Sequence, residues 1–199
     1  MGRDSARNFT RERIAHLAAR MMAEDGIEDY GLAKRKAARQ AGAADTRQLP
    51  DNEEIEAALR TYRELYQQQH PAQLRALREL ALAVMAEFSQ FDPHLTGSVL
   101  HGNAGKFADI HLQLFAESNK AVEFALIDRG VRYQTAGVHL YAGEIPLDAA
   151  VLSFEREAVT IHLTLLSPRE RRLSIKTGRG GRPIERANQQ AVAALLASA

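Results

Sequence analysis

The stretch LTGSVLHGNAGKFADIHLQLF, Leu95–Phe115, decides how the chain is read. Its second half, FADIHLQLF, alternates strictly. Ala108, Ile110, Leu112 and Leu114 fall on one side and Asp109, His111 and Gln113 on the other, the period of a strand with one face buried. Its first half is a short apolar strand that runs into Gly97-Ser98, a turn pair, with Gly102 and Gly105 beyond. The reading is therefore strand, Gly-rich turn, strand, with a polar face led by an acid.

Working outward, the chain before this stretch has helical periodicity. In FTRERIAHLAARMMAEDG the apolar set is Ile14, Leu17, Ala18, Met21 and Met22, with Thr10 placed to cap the start and Gly26 to stop it. A second helix holds Ala33, Ala37 and Ala38 on its inner side and Lys34, Arg35, Lys36 and Arg39 mostly outside; Gly42 ends it. ADTRQLP reads as a loop. A third helix opens on Asp51-Asn52-Glu53-Glu54, acids where the macrodipole favours them, and carries Ile55, Leu59, Tyr62, Leu65 and Tyr66. His70-Pro71 predicts a break. A fourth helix runs from about Ala72 to Phe88. After Phe115, Ser118 is placed to cap a helix closed by Gly130. VRYQT and GVHLY read as two short strands, and AVLSFE and AVTIHLTLL as a pair joined at Arg156-Glu157. A basic loop and an Ala/Leu helix finish the chain. The fold class is α+β: an N-terminal helical region over 1–70, then a mixed sheet with flanking helices over 71–199.

The composition narrows the function classes. The 199 residues include 26 Lys+Arg against 25 Asp+Glu, a net charge of +1, so a nucleic-acid or phosphate contact has to come from a local cluster. There is no cysteine, which removes thiol nucleophiles and Cys-based zinc sites and fits a reducing, cytoplasmic setting. No apolar run reaches the roughly 18 residues of a membrane span, and MGRDSARNFTRERIAH lacks the apolar core of a signal peptide. No membrane partner is expected, and oligomeric state is not legible.

The Gly97-Ser98 turn followed by the Asp109 strand resembles the signature of the nucleotidyltransferase fold of the DNA polymerase β superfamily, over about Ala72 to Leu166. The resemblance implies an NTP and a divalent metal, Mg²⁺ or Mn²⁺, as cofactors, with Gly97, Ser98 and Lys106 holding phosphate and Asp109 as the catalytic carboxylate. In that family two carboxylates two residues apart on a strand clamp two ions about 3.5–4 Å apart, and a third from a neighbouring strand activates the acceptor hydroxyl. Here the second position is His111, and AVTIHLTLL offers His162 and Thr160 but no acid. Imidazole is a poor Mg²⁺ ligand. Asp109, His111 and His162 would instead suit a two-His-one-carboxylate site for Fe²⁺, Mn²⁺ or Zn²⁺; the plainer alternative is two histidines hydrogen-bonded in or near a sheet, and for the Asp109, His111 and Gln113 face a solvent-facing strand edge.

The expectation is a divergent member that binds a nucleotide or phosphate ligand with weak or no Mg²⁺-dependent nucleotidyl transfer. The alternative is an active enzyme moving an NMP from an NTP with an unorthodox metal set. Nucleic acid is a further expected partner, through Arg171, Arg172, Lys176, Arg179 and Arg182 of the basic tail, where Gly178, Gly180 and Gly181 lend freedom; a mobile solvated loop explains the same run. Gly97-Ser98-Val99 is not a GxSxG elbow, so a serine-hydrolase reading of Ser98 is weak.

Overall fold

The computed structural model describes residues 2–24, 27, 29–43, 49–66, 70–105, 107–179 and 181–198. Gly26, most of the ADTRQLP loop, Lys106 and Gly180 lie outside the described residues. The chain divides into two compact units, the first running to Gln73 and taking in Gly105–Phe107, the second Leu74–Ala104 with Ala108 onward.

The first unit is helical. Helices α1 (Gly2–Glu24), α2 (Tyr30–Gln40) and α3 (Asn52–Tyr66) bury Ile14, Ala18, Ala19 and Met22 against Ala33, Ala37, Ala38, Ile55 and Leu59. Small side chains on α1 and α2 let the helix axes approach closely. The α1 helix begins well before Thr10, so Thr10 is not its cap: the stretch ahead of it has no apolar period to announce a helix. Asp29 caps α2 through the Leu32 N–H. At the other end the Gly42 N–H bonds Arg39 O and the Ala43 N–H bonds Ala38 O, a Schellman closure with Gly42 at φ +71.

Two separate helices are observed about the expected break, but α4 (His70–Glu87) begins at His70 rather than at about Ala72, so His70-Pro71 lies inside it. Pro71 sits in the first turn, where its missing N–H costs nothing and its fixed φ suits the helix. From Leu74 onward α4 belongs to the second unit. There a six-stranded mixed sheet is built from β1 (His94–Thr96), β2 (Ile110–Phe115), β3 (Gln134–Ala142), β4 (Ile145–Arg156), β5 (Val159–Leu166) and β6 (Ile175–Lys176), in the order β1-β2-β5-β4-β3-β6. Only β2 and β5 run parallel. The expected pairing of the strands around Gly97-Ser98 is observed: β1 and β2 are antiparallel neighbours, with Thr96 opposite His111. VRYQT and GVHLY do not form two strands but mostly one continuous β3, because Ala136 and Gly137 stay in register with Val151 and Ala150.

One face of the sheet packs on helices. Leu80, Val84, Met85 and Phe88 of α4 and the residue after it, Val122 and Leu126 of α6 (Asn119–Asp128), and Val192 of α7 (Gln189–Ala197) meet Ile110, Leu112, Leu114, Leu152, Ile161 and Leu163. Ser118 caps α6 as expected, accepting from the Lys120 N–H. The opposite face is lined at one end by a smaller apolar cluster, Phe115, Leu140, Ala149, Leu166 and Ile175. The sheet is curled. Pro183 bridges Lys176 of β6 and Ala187 bridges Leu95 of β1; four residue steps reach at most about 14 Å, so the two edge strands approach one another around the second face. Among the described residues no helix is long and apolar enough to cross a membrane.

Candidate functional site

Residues directly opposite on neighbouring strands share a face, so the registers alone assemble a row. Thr96 faces His111, His111 faces His162, His162 faces Ser153 and Ser153 faces Gln134. On β5, Ile161, Leu163 and Leu165 point into the helix-side core, which sends His162 and Thr164 to the other side. The row therefore crosses five strands on the face away from the helices, beyond the polar end of the Phe115 cluster.

In the middle of the row the side chains touch. His162 Nδ1 lies 2.7 Å from Ser153 Oγ, and His162 Nε2 lies 3.1 Å from Asp109 Oδ2. A carboxylate only accepts, so the proton of the neutral ring sits on Nε2; Nδ1 is left as the acceptor for the Ser153 hydroxyl. The His111 ring stacks on His162 with centroids 4.8 Å apart and planes 17° from parallel. Thr96 Oγ1 donates to the His111 carbonyl at 3.2 Å. The row is open to solvent in part: the His162 side chain is 24% exposed and that of Asp109 42%. Beside His111 on the same face Gln113 is buried, and its Oε1 finds no hydrogen-bond partner among the described residues.

Gly97 and Ser98 border this row. Gly97 has φ +75 and opens α5 (Gly97–His101). A Cβ there would sit 3.5 Å from His111 Cδ2, so the turn is laid directly against the imidazole. Ser98 is buried. The far end of α5 is held by Arg78 of α4, whose Nε donates to Val99 O and whose Nη2 donates to Leu100 O, each at 3.1 Å. Burial pushes the Arg78 guanidinium below its usual value. Lys106, the third expected phosphate contact, lies outside the described residues.

The donors do not fit the metal set of the resemblance. Asp109 is the single carboxylate in the row, and it already accepts from His162. The lone pairs of an imidazole lie in its ring plane, so two rings stacked nearly parallel do not aim at a common point. Among the described residues no group of three His, Asp or Glu side chains is arranged to hold a metal ion. Asp109, His111 and His162 are thus brought together, but as a hydrogen bond and a stack.

The basic tail belongs to the second unit. Arg171 and Arg172 occupy a single helical turn, Glu170–Arg172, Lys176 lies in β6, and Arg179 and Arg182 follow in the loop. Arg171 is engaged by Asp92 at 2.8 Å, and its backbone carbonyl accepts from Arg186, whose guanidinium also lies over the Phe115 ring. His101 pairs with Glu185 at 3.3 Å.

Sequence reasoning placed Gln113 on this face with Asp109 and His111, but missed Ser153 and Arg78 as parts of the region. Ser153 sits in an ordinary alternating strand, and its partner is known only once the β4–β5 register is known. Compared with known proteins, the chain matches no family model and no curated protein.

Proposed function

We propose that the second unit is a nucleotidyltransferase-like domain that binds a nucleotide or other phosphate ligand, with weak or no Mg²⁺-dependent nucleotidyl transfer. One observation carries the reading: the left-handed Gly97 turn is packed against His111, in the row that also holds His162 and, through it, Asp109. Strand, glycine turn, short helix and antiparallel strand follow one another, with a carboxylate at the head of the second strand and a parallel strand beside it. Imidazole N–H groups and hydroxyls donate to phosphate oxygens where a ligand exchanges for their present partners. The ligand set argues against transfer, because a single carboxylate already bonded to an imidazole does not anchor two ions.

Calorimetric titration of the full chain with ATP, GTP, CTP and UTP, with and without Mg²⁺ or Mn²⁺, tests this. Binding of one or more NTPs that weakens at least about tenfold in His111→Ala, about 1.4 kcal/mol, supports it. No heat with any NTP or with inorganic phosphate overturns the binding reading. Robust Mg²⁺-dependent transfer, abolished by Asp109→Ala, overturns the claim of silence.

A further inference from the structure

The contacts of His162 have a second chemical meaning that is independent of nucleotide binding. A hydroxyl, an imidazole and a carboxylate lie in line: Ser153 Oγ at 2.7 Å from Nδ1, and Asp109 Oδ2 at 3.1 Å from Nε2. The carboxylate fixes the tautomer that leaves a basic nitrogen facing the hydroxyl, the arrangement by which an alcohol is activated as a nucleophile. The three groups come from three different segments, β4, β5 and the residue just before β2. The strand ladder holds β4 and β5 in the register that sets Ser153 opposite His162. Ser153 is half-buried and borders solvent.

We propose that Ser153 is a nucleophile, with His162 its general base and Asp109 the positioning residue, and that it takes acyl groups from carboxylic esters. In the first step Ser153 Oγ bonds to the ester carbonyl carbon, its proton passes to His162 Nδ1, and the carbon–alkoxide bond breaks as that proton goes to the departing oxygen. In the second, water bonds to the acyl carbon, the acyl–Oγ bond breaks and the proton returns to Ser153 through His162. No metal, oxidant or co-reactant enters either step.

The test is covalent labelling of the full chain with a fluorophosphonate probe and with p-nitrophenyl acetate, read by intact mass and peptide mapping. The expected result is one adduct, on the peptide holding Ser153, absent in Ser153→Ala and formed at least about 100-fold more slowly in His162→Ala, within the range of general-base contributions. Asp109→Asn should lower the maximal labelling rate with little change in half-saturating probe concentration. Because the chain has no cysteine, Ser153→Cys carries a single thiol. Its alkylation by iodoacetamide should be at least about tenfold faster than in the same variant with His162→Ala. No adduct on Ser153, an adduct on another residue only, or labelling and alkylation indifferent to His162 in variants with unchanged circular dichroism would overturn the proposal and leave the Ser153–His162 contact as a cross-strand hydrogen bond. Failure of NTP binding does not bear on either result.

Discussion

Arg78 Nε donates to the carbonyl of Val99, and the same guanidinium reaches Leu100 O, so one side chain of α4 closes the end of the short helix that begins at Gly97. Five residues make barely more than one turn, and a helix that short does not hold itself together in water. Its position against His111 depends on the fork geometry of Arg78, which a lysine cannot reproduce.

Arg78→Met should therefore loosen the Gly97 turn before it unfolds the domain. Removing the donors leaves two carbonyls without them, a loss on the order of 1–3 kcal/mol. Relief of the cost of burying the charge offsets part of it. Hydrogen exchange should show faster exchange at the amides of residues 99–103 with the β2 and β5 amides still protected. Any NTP affinity should fall together with that protection. Unchanged exchange at these amides would show that α5 is held by other contacts.

A stabilising change is expected at the β4–β5 turn. Arg156 pairs with Val159, and the two residues between, Glu157 and Ala158, both have positive φ, 53 and 61. These are the angles of a two-residue turn for which Asn-Gly is the preferred sequence. Ala in the left-handed region costs about 1 kcal/mol relative to glycine. The double substitution Glu157→Asn, Ala158→Gly should raise stability by about 1–2 kcal/mol in urea denaturation, without altering the Ser153–His162 register. A destabilised variant would mean that the Glu157 or Ala158 side chain makes a contact worth more than the strain.

That turn also shows where the sequence stops being legible. The alternation of Ile110, Leu112 and Leu114 against His111 and Gln113 is intrinsic to a strand buried on one side, and it places β2 and its polar face, although the strand begins at Ile110 rather than at Phe107 and leaves Asp109 just ahead of it. The same holds for the caps at Ser118 and Gly42, whose chemistry is local. The Ser153–His162 contact is not local: it depends on a hairpin register set by two residues, Glu and Ala, that carry no turn signal. The start of α1 and the first turn of α4 escape sequence reading for a related reason. Neither has an apolar boundary, and Pro71 is a helix breaker in one position and a helix starter in another. Asp109 and His111 are legible as neighbours on one face, but the stack of His111 on His162 is a product of parallel pairing between strands distant in the chain, which no spacing rule announces.

In the helical unit, Glu54 is expected to matter twice. Its carboxylate accepts from the Asp51 N–H at 2.7 Å while Asp51 accepts from the Glu54 N–H at 2.8 Å, a reciprocal cap on α3. It also accepts from Arg11 Nε at 2.7 and 2.9 Å through its two oxygens. The Arg11 hydrogen bond holds the Glu54 carboxyl below its ordinary value of 4.5. Its folded value is depressed, so this contribution is complete above about pH 4.5 and is lost as pH falls through the lowered folded value. Both side chains are more than a third exposed, which limits the ion pair to about 0–1 kcal/mol. Glu54→Ala should cost about 1–2 kcal/mol, most of it the cap. Glu54→Gln should keep much of the cap and flatten the acid limb of the stability curve. An acid limb unchanged in Glu54→Gln would assign it to other carboxylates.

The sharpest test of the row as a degenerate metal site is His111→Asp. The substitution places a second carboxylate two residues from Asp109 on the same polar face, the spacing the resemblance requires, and removes the stacked ring that now lies against His162. Without metal the two like charges repel, and Asp is a poor strand residue, so the variant should melt below the unmodified chain. Mg²⁺ should recover it. An ion at ten times its dissociation constant stabilises by about 1.4 kcal/mol, a rise of roughly 3–6 °C for a domain of this size. The unmodified chain and His111→Asp combined with Asp109→Asn should show no such rise. Turnover is not expected to return, because the resemblance implies a third acid from a neighbouring strand and β5 carries none. If the unmodified chain is stabilised by Mg²⁺ as strongly as His111→Asp, then the present donors already hold the ion, and one carboxylate with its imidazole neighbours is enough to bind it. If neither responds, Asp109 and residue 111 do not converge on one ion, and the likeness to the nucleotidyltransferase signature ends at the turn.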